Sequence, residues 1–339
     1  MIKIFTISGL LTSENRKKVF PLLFDLKYLN TPKSIENYQL VENIINADVA
    51  IFPVDVIYII NFNNKIVFQE FLAEAKINNV PVWIYTSGDF GKTFQEKLLN
   101  FRLAGYRSKL SEKNLIMPCF VSDPYQNILM GNWHYIEKSN KPNIGFVGQA
   151  NGSTSKFTKE YLVYLKQSSL RLIGKDSSDI QPFFPASLIR FRILKRIKAN
   201  SKIDGHFILR SSYRASAKTN EEIELTTQDF YKNIESCLYT LCIRGAGNFS
   251  VRFYETLIMG RIPVLIDTDV QLPLSDIIKW EDHIVFATVD NVEQKLIDFH
   301  QSKSNEELIA IQFSNRKLIM EKLNRVDYFS QISKKYLNK

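Results

Sequence analysis

The chain has 339 residues, of which 45% are hydrophobic and 23% charged, a composition that supports about two globular domains and excludes a disordered polymer. No apolar run reaches the roughly 18–20 residues that span a bilayer, and the first seven residues alternate as in a strand rather than as in a signal peptide. We therefore expect a cytoplasmic protein.

The first half of the chain alternates short β-rich runs with an amphipathic stretch. Strands are predicted at Ile2–Ile7, Val49–Pro53, Val80–Tyr85 and Leu115–Pro118. Between the second and third of these, Val67–Lys76 has apolar residues at helical spacing. Repeated strand–helix–strand units predict a parallel sheet with helices on both faces.

A polar, proline-containing connector at 138–143 marks the predicted domain boundary, which divides the chain into 1–142 and 143–304. A second series of strands is predicted at Ile144–Gly148, Leu170–Ile173, His206–Leu209, Tyr239–Ile243, Ile262–Ile266 and His283–Phe286. Asn305–Tyr336 is predicted as one long amphipathic helix, and we expect the tail 305–339 to pack back on the first domain. Two doubly wound domains in series predict a ligand cleft between them.

The net charge is +9 and is unevenly distributed. Nine basic residues but only one acidic residue, Asp204, lie between Arg190 and Lys218. Such a stretch is typical of a solvated helix face, of an anionic membrane contact or of a phosphate site. Because Arg210 and Arg214 follow a predicted strand, we expect them near nucleotide phosphates, and the lysines near an anionic membrane or a lipid-diphosphate acceptor.

The most informative stretch begins where the predicted strand Tyr239–Ile243 ends. A glycine-bearing turn follows at Arg244–Gly247, after which Asn248 or Ser250 can cap a helix that stops at Gly260. The amide groups of such a helix start favour phosphate.

Two side chains extend this prediction from the turn into the helix. Arg244 and Arg252 would add cations beside a diphosphate, and Glu255, three residues after Arg252, could accept hydrogen bonds from ribose hydroxyls. An ordinary glycine turn with a surface Arg–Glu pair is the alternative.

The residues from Phe230 to Val285 resemble the C-terminal half of exostosin-type glycosyltransferases, glycosyltransferase family 47. The matching motifs, in order, are Arg244-Gly245, Ser250-Val251-Arg252-Phe253-Tyr254-Glu255, Gly260-Arg261-Ile262-Pro263-Val264, Asp267, and Leu272-Pro273-Leu274-Ser275-Asp276-Ile277-Ile278-Lys279-Trp280. Weaker similarity extends upstream to 47–53, 87–91 and 143–148.

This resemblance implies the GT-B architecture of two Rossmann-like domains and an inverting transfer from a nucleotide-sugar, with UDP as the expected nucleotide. The donor site would comprise Arg244, Gly245, Ser250, Arg252 and Glu255, with Arg210 nearby. The chain looks similar to short bacterial members that build surface polysaccharides, so the expected acceptor is a glycan or a lipid-linked sugar, met at the inner membrane face. The alternatives are a fucosyltransferase-like enzyme that uses a GDP-sugar and a basic non-catalytic binding protein. No nucleic-acid-binding motif is present.

An inverting transfer requires a base that deprotonates the acceptor hydroxyl. Asp89 is the first candidate, because the Ser87–Gly91 loop follows a predicted strand of the first domain. Glu14 and Asp55 are the second and third, and the choice among them stays open.

No metal is expected at the site. The three cysteines and four histidines lack ligand spacing, and the cysteines are predicted to be small buried hydrophobes. Asp267-Thr268-Asp269 matches the Asp-x-Asp motif of metal-dependent glycosyltransferases, but two arginines and a helix start already offer positive charge for a diphosphate. A turn that closes the preceding strand is the preferred interpretation of this motif.

Overall fold

The computed structural model describes residues 1–61, 65–94, 98–212 and 216–337, which form two parallel sheets. The first sheet consists of β1 (Ile2–Phe5), β2 (Tyr38–Val41), β3 (Val49–Ile51), β4 (Val82–Thr86), β5 (Leu99–Arg102) and β6 (Asn114–Ile116). The second consists of β7 (Asn143–Gln149), β8 (Asp204–Arg210), β9 (Tyr239–Cys242), β10 (Ile262–Ile266) and β11 (Val285–Ala287).

The five strands of the second sheet follow the same order as the first five strands of the first sheet. The first runs β2-β1-β3-β4-β5-β6 and the second β11-β10-β9-β7-β8, and every pairing between these strands is parallel. In each sheet the first strand therefore lies between the second and the third, which is the point where the winding direction reverses. The predicted fold class, two parallel α/β domains of the GT-B type, is confirmed.

Helices connect these strands and cover the sheets. They are α1 (Pro21–Phe24), α2 (Pro32–Asn37), α3 (Val56–Asn61), α4 (Lys65–Ile77), α5 (Pro124–Asn127), α6 (Thr154–Leu172), α7 (Ala186–Ala199), α8 (Asn220–Ser236), α9 (Val251–Ile258), α10 (Val292–Ser302), α11 (Asn305–Glu321) and α12 (Arg325–Tyr336). Among the described residues, none of these helices is long and apolar enough to cross a membrane.

The buried side chains form two clusters. One cluster lies between the second sheet and helices α7 and α10, with Ile193 and Leu296 among its members. The other joins the first sheet to α9, α11 and α12, so an apolar core continues from one sheet to the other. In this cluster, Phe329 of α12 lies against Phe20 and Phe101, with both ring centroids 5.2 Å away.

Two predicted elements are wrong. Leu170–Ile173 is not a strand, because it overlaps the end of the 19-residue helix α6; a short apolar run by itself does not distinguish the two states. The predicted helix Asn305–Tyr336 is two helices, α11 and α12. The break occurs where the Asn324 side chain accepts a hydrogen bond from the amide of Asp327 and starts a new helix.

Strands β2 and β5 were not predicted. All four residues of β5 are buried although two of them, Asn100 and Arg102, are polar. Asn100 donates to the Lys92 carbonyl at 2.6 Å and to Asn114 Oδ1 at 2.8 Å. A strand that is buried on both faces and satisfies its polar groups internally lacks the alternation that identifies half-buried strands.

Candidate active site

The carboxyl ends of β7 and β9 meet at the point where the winding of the second sheet reverses, a common ligand position in open α/β sheets. The turn after β9 carries Arg244 and Gly245, and β7 ends at Gly148 and Gln149. A Cβ at Gly148 would lie only 2.9 Å from Arg252 Nη2, so glycine lets the arginine approach the strand. The predicted donor residues Arg244, Gly245 and Arg252 are thus brought together at this edge.

Arg252 lies beneath this edge and joins the two strands. Its Nη2 donates to the Val147 carbonyl at 2.6 Å, and its guanidinium stacks on the Phe146 ring at 4.2 Å. Burial lowers the pKa of Arg252, while nearby Cys242 and Glu255 oppose this shift. The structure therefore gives Arg252 a role in holding the sheet edge, in addition to the predicted charge toward a diphosphate.

Arg190 of α7 contacts the same edge of the sheet, at the ends of β7 and β9. It donates through Nη2 to the carbonyls of Arg244 at 2.8 Å and Ile243 at 3.3 Å, and through Nη1 to the Gln149 carbonyl at 3.5 Å. Burial and the neighbouring Arg252 lower its pKa to about 10. From the sequence, Arg190 was only the first residue of the basic stretch. Nothing in the neighbouring residues indicates that Arg190, rather than the other basic residues, reaches the sheet edge.

Arg244 is 4% exposed and connects the two domains. It donates to Tyr106 Oη at 2.6 Å and to Gln181 Oε1 at 3.3 Å, and its guanidinium lies 4.8 Å from the Phe184 ring centroid. Tyr106 belongs to the segment after β5 of the first sheet, so this arginine forms a hydrogen bond between the two domains.

The three arginines Arg190, Arg244 and Arg252 share an unusual electrostatic state. Within the described ranges, none forms an ion pair with a carboxylate, and the buried Nε of each has no hydrogen-bond partner. Arginine does not lose its charge in proteins at neutral pH. Glu160, Asp89 and Glu255 act on Arg190, Arg244 and Arg252 only at longer range. Positive charge without a direct ion pair therefore accumulates at the switch point, which suits a diphosphate.

Glu255 lies one turn further along α9, partly buried, and accepts a hydrogen bond from Tyr231 Oη at 3.2 Å. Ser250 occupies the N-cap position of α9, but its side chain makes no capping hydrogen bond. Asn248, the other predicted cap, instead donates to carbonyls of Gly105 at 3.0 Å and Thr268 at 3.1 Å. The helix ends as predicted at Gly260, which has a φ of 64°.

Arg210 lies at the end of the edge strand β8 and contacts α8. It donates to the Thr226 carbonyl at 2.9 Å and lies 3.6 Å from Asp229. Its charge is close enough to Arg252 to disfavour the charged form of that residue. Arg210 is thus a neighbour of the cationic group with partners of its own, and Arg214 lies outside the described residues.

Asp89 of the first domain lies beside the turn Arg244–Gly247. The Ser87–Gly91 loop packs so closely on this turn that a Cβ at Gly247 would lie 2.3 Å from the Asp89 carbonyl oxygen. The Asp89 side chain is exposed, yet surrounding protein raises the pKa of its carboxyl, and Arg244 opposes the rise. A glycine at position 247 is what permits this approach of the two domains.

The other two candidate bases lie in different surroundings. Asp55 is buried, and its carboxylate accepts hydrogen bonds from the Ser87 hydroxyl, the Ser87 amide at 3.2 Å and the Ile57 amide at 3.0 Å. It therefore fixes the start of the loop that carries Asp89. Glu14 is exposed in the segment after β1.

The Asp267–Asp269 motif forms a turn that contacts the first domain. Asp267 pairs with Arg107 at 3.2 Å, and Asp269 accepts hydrogen bonds from the amide and hydroxyl of Ser108. Asp269 has a φ of 60°, as expected in a turn. Both carboxylates are thus engaged by residues of the 105–108 segment.

The stretch from Arg190 to Lys218 is not one surface. Arg190 and Arg210 point inward, and Arg196 pairs with Glu293 at 2.8 Å. Exposed members are Arg192, Lys195, Lys198, Lys202 and Lys218. The predicted cationic stretch therefore divides into an inner part beside the sheet edge and an outer part in solvent.

The second domain can be matched to a known family. Residues 133–302 match the exostosin GT47 domain. The chain belongs to the exostosin GT47 family. This agrees with the resemblance noted in the sequence, and the matched range contains the sheet edge with Arg190, Arg244 and Arg252.

The chain is similar to plant proteins named as probable glycosyltransferases. A rice protein, probable glucuronosyltransferase GUT1, is 32% identical over 121 residues, which cover 34% of this chain and 29% of the relative. The Arabidopsis thaliana probable beta-1,4-xylosyltransferase IRX10L is 35% identical over 78 residues, which cover 22% of this chain and 19% of the relative. The chain thus matches less than a third of the length of these relatives.

Two solved structures show weak likeness. Staphylococcus aureus TarM, solved with fondaparinux, alpha-GlcNAc-glycerol and UDP, has a TM-score of 0.37 at 12% identity, with 86% of this chain and 54% of that chain covered. AviGT4, a glycosyltransferase involved in avilamycin A biosynthesis, has a TM-score of 0.32 at 8% identity, with 100% and 98% covered. At these scores the likeness does not add to the assignment.

Proposed function

We propose that this chain is a glycosyltransferase that binds a nucleotide-sugar at the carboxyl edge of the second sheet and transfers the sugar to a glycan or lipid-linked acceptor. The observation that carries the proposal is the group Arg190, Arg244 and Arg252, which has no carboxylate ion pair among the described residues. A nucleoside diphosphate supplies the missing anion. UDP is the nucleotide that we expect from the resemblance.

In this proposal the arginines act on the leaving group. Negative charge develops on the diphosphate as the bond to the sugar breaks, and fixed cations in a partly buried site stabilise that charge. Asp89, across the cleft, would deprotonate the acceptor hydroxyl, and attack from the side opposite the diphosphate would invert the anomeric centre. Its raised pKa makes it a stronger base than an ordinary aspartate.

We also propose that the transfer does not require a divalent metal. The arginines already offer charge to the diphosphate, and both Asp267 and Asp269 are engaged by the first domain. Turnover should continue in excess EDTA. A complete loss of turnover that Mn²⁺ restores would contradict this part of the proposal.

A ligand panel tests the donor site directly. Thermal unfolding is measured with UDP, GDP, CMP and their sugars, and a ligand at 100 times its dissociation constant should stabilise by about 2.7 kcal/mol. A shift with UDP and its sugars supports the proposal, whereas a shift with GDP alone favours the fucosyltransferase-like alternative. If no nucleotide binds, the proposed donor site is wrong.

A further inference from the structure

Helix α6 has polar side chains on the side that faces the protein and exposed leucines on the other side. Its residues Glu160, Tyr164 and Arg171 face the protein, and Arg171 is buried against the Phe90 ring of the first domain at 4.2 Å. Several of its large apolar residues face solvent instead. At 100° per residue, five of the exposed apolar residues lie on one side of the helix, where Thr158 and Ser169 are interspersed. This stripe consists of Phe157, Tyr161, Leu162, Leu165 and Leu172.

The exposure of this stripe is substantial. Leu162 is 59%, Leu165 41% and Leu172 78% exposed, and Ile173 directly after the helix is 64% exposed. Isolated apolar residues are normal on a surface, but several large ones on one side of a 19-residue helix are typical of an interaction site. Phe157 and Tyr161 are held in place by Phe183, with ring centroids 5.6 and 5.2 Å away.

The charges around the stripe identify its partner. Between residues 154 and 175 the chain has five basic residues, Lys156, Lys159, Lys166, Arg171 and Lys175, but one acidic residue, Glu160. Glu160 is engaged by Lys156 at 3.6 Å, whereas Lys159, Lys166 and Lys175 are exposed. An apolar stripe bordered by lysines is the pattern of a helix that lies in the interface of an anionic membrane.

We propose that α6 docks this chain on an anionic lipid surface, with its apolar stripe inserted among the headgroups and its lysines on the lipid phosphates. A second copy of the chain fits less well, because it would bring two basic surfaces together. The inference does not rest on the transfer reaction. It assigns the membrane contact to α6 rather than to the stretch Arg190–Lys218, whose exposed part lacks such a stripe among the described residues of α7.

The position of α6 also links the membrane to the cleft. The loop that follows it contacts the first domain, where Asp179 pairs with Arg102 at 2.9 Å and its amide donates to the Gly91 carbonyl at 2.8 Å. Gly91 ends the loop that carries Asp89. A lipid-linked acceptor in the same membrane would therefore be presented close to the cleft.

Vesicle flotation of the full chain tests the proposal. One set of vesicles is phosphatidylcholine alone and the other includes about 30% phosphatidylglycerol. The wild-type chain should float with the anionic vesicles, more weakly at high salt because salt screens the lysines. Leu162→Gln with Leu165→Gln should reduce the bound fraction about tenfold, since two apolar anchors are lost without a change in charge.

The matched control is Ile66→Gln with Ile77→Gln on α4, which removes two exposed isoleucines, 66% and 83% exposed, from the first domain. This variant should float like wild type, and all variants should keep the wild-type melting temperature. The proposal is overturned if wild type does not float or if the α6 variant floats as well as the control. It is also overturned if sedimentation shows that the stripe instead holds a dimer that the α6 variant loses.

Discussion

Two arginines at the edge of the second sheet, Arg190 and Arg252, differ from Arg102, which lies between the domains, in whether a carboxylate pairs with them. Arg102 is 2% exposed and is fully engaged: it pairs with Asp179 at 2.9 Å and donates to carbonyls of Ala104 and Phe90. Arg190 and Arg252 are also surrounded by protein, but their hydrogen bonds go to backbone carbonyls, and among the described residues no carboxylate forms a direct ion pair with them.

This difference distinguishes an arginine that stabilises the fold from arginines that are available to bind an anion. A buried cation whose charge is balanced by a carboxylate stabilises a contact, and its removal leaves the partner charge unpaired. A partly buried cation with no anion costs free energy in the unliganded protein, and a bound anion restores the balance. The edge of the second sheet therefore keeps cations without a direct ion pair where a ligand is expected, whereas Arg102 between the domains is paired with Asp179.

The largest effect is expected at Asp89, the candidate base of the first domain, whose carboxyl interacts with Arg244. Asp89→Asn should lower kcat by about 10²–10⁴ while nucleotide binding is preserved, because only the proton transfer is lost. In the wild-type protein, kcat/KM should decrease as the pH is lowered and Asp89 becomes protonated. Because the pKa of Asp89 is raised, this decrease should begin above the usual aspartate pKa of about 3.9. Glu14→Gln is the control; if that variant loses the activity instead, Glu14 is the base.

A substitution at Arg190 tests the proposed role of Arg190, Arg244 and Arg252. Arg190→Ala should lower turnover by about 10²–10³ because a fixed cation no longer stabilises the leaving diphosphate. Arg190→Lys should recover little, since a lysine cannot contact both strands at once. Arg196→Ala on the same helix removes an arginine already paired with Glu293 and should leave turnover near wild type. Equal kinetics in the Arg190 and Arg196 variants would place the donor elsewhere.

A substitution at Arg102 tests the contribution of its ion pair with Asp179 to stability. Arg102→Ala should lower the free energy of unfolding by about 3 kcal/mol, as measured by denaturant titration, because several buried hydrogen bonds and an ion pair are lost together. Arg107→Ala, at an exposed pair across the same contact, should change it by at most about 1 kcal/mol. If the two variants are equally stable, burial does not determine the contribution of these pairs.

The smallest effect is expected at Glu255. Glu255→Gln should weaken nucleotide binding about tenfold and change kcat less, because a ribose contact is present in both ground and transition states. Isothermal titration and steady-state kinetics measure the two quantities. Tyr231→Phe removes the hydroxyl that Glu255 accepts from. A similar loss of binding in both variants would mean that Glu255 acts by holding Tyr231.

The sequence determined the features that depend on neighbours along the chain. The turn at Arg244–Gly247, the helix stop at Gly260 and the strand Ile262–Ile266 were all predictable, because glycine conformation and β-branched runs act within a few residues. The same ordered motif identified the family. Asp89 was placed in a loop after a strand, and parallel strands bring such loops to one edge of a sheet.

The tertiary structure alone decided which charges are balanced. Nothing near Arg190 in the sequence shows that it reaches β7 and β9, and nothing near Arg102 shows that Asp179 will neutralise it. The break at Asn324 and the outward apolar side of α6 also depend on what each segment packs against. Residue periodicity specifies that a helix has two faces, but only long-range packing decides which of them is buried.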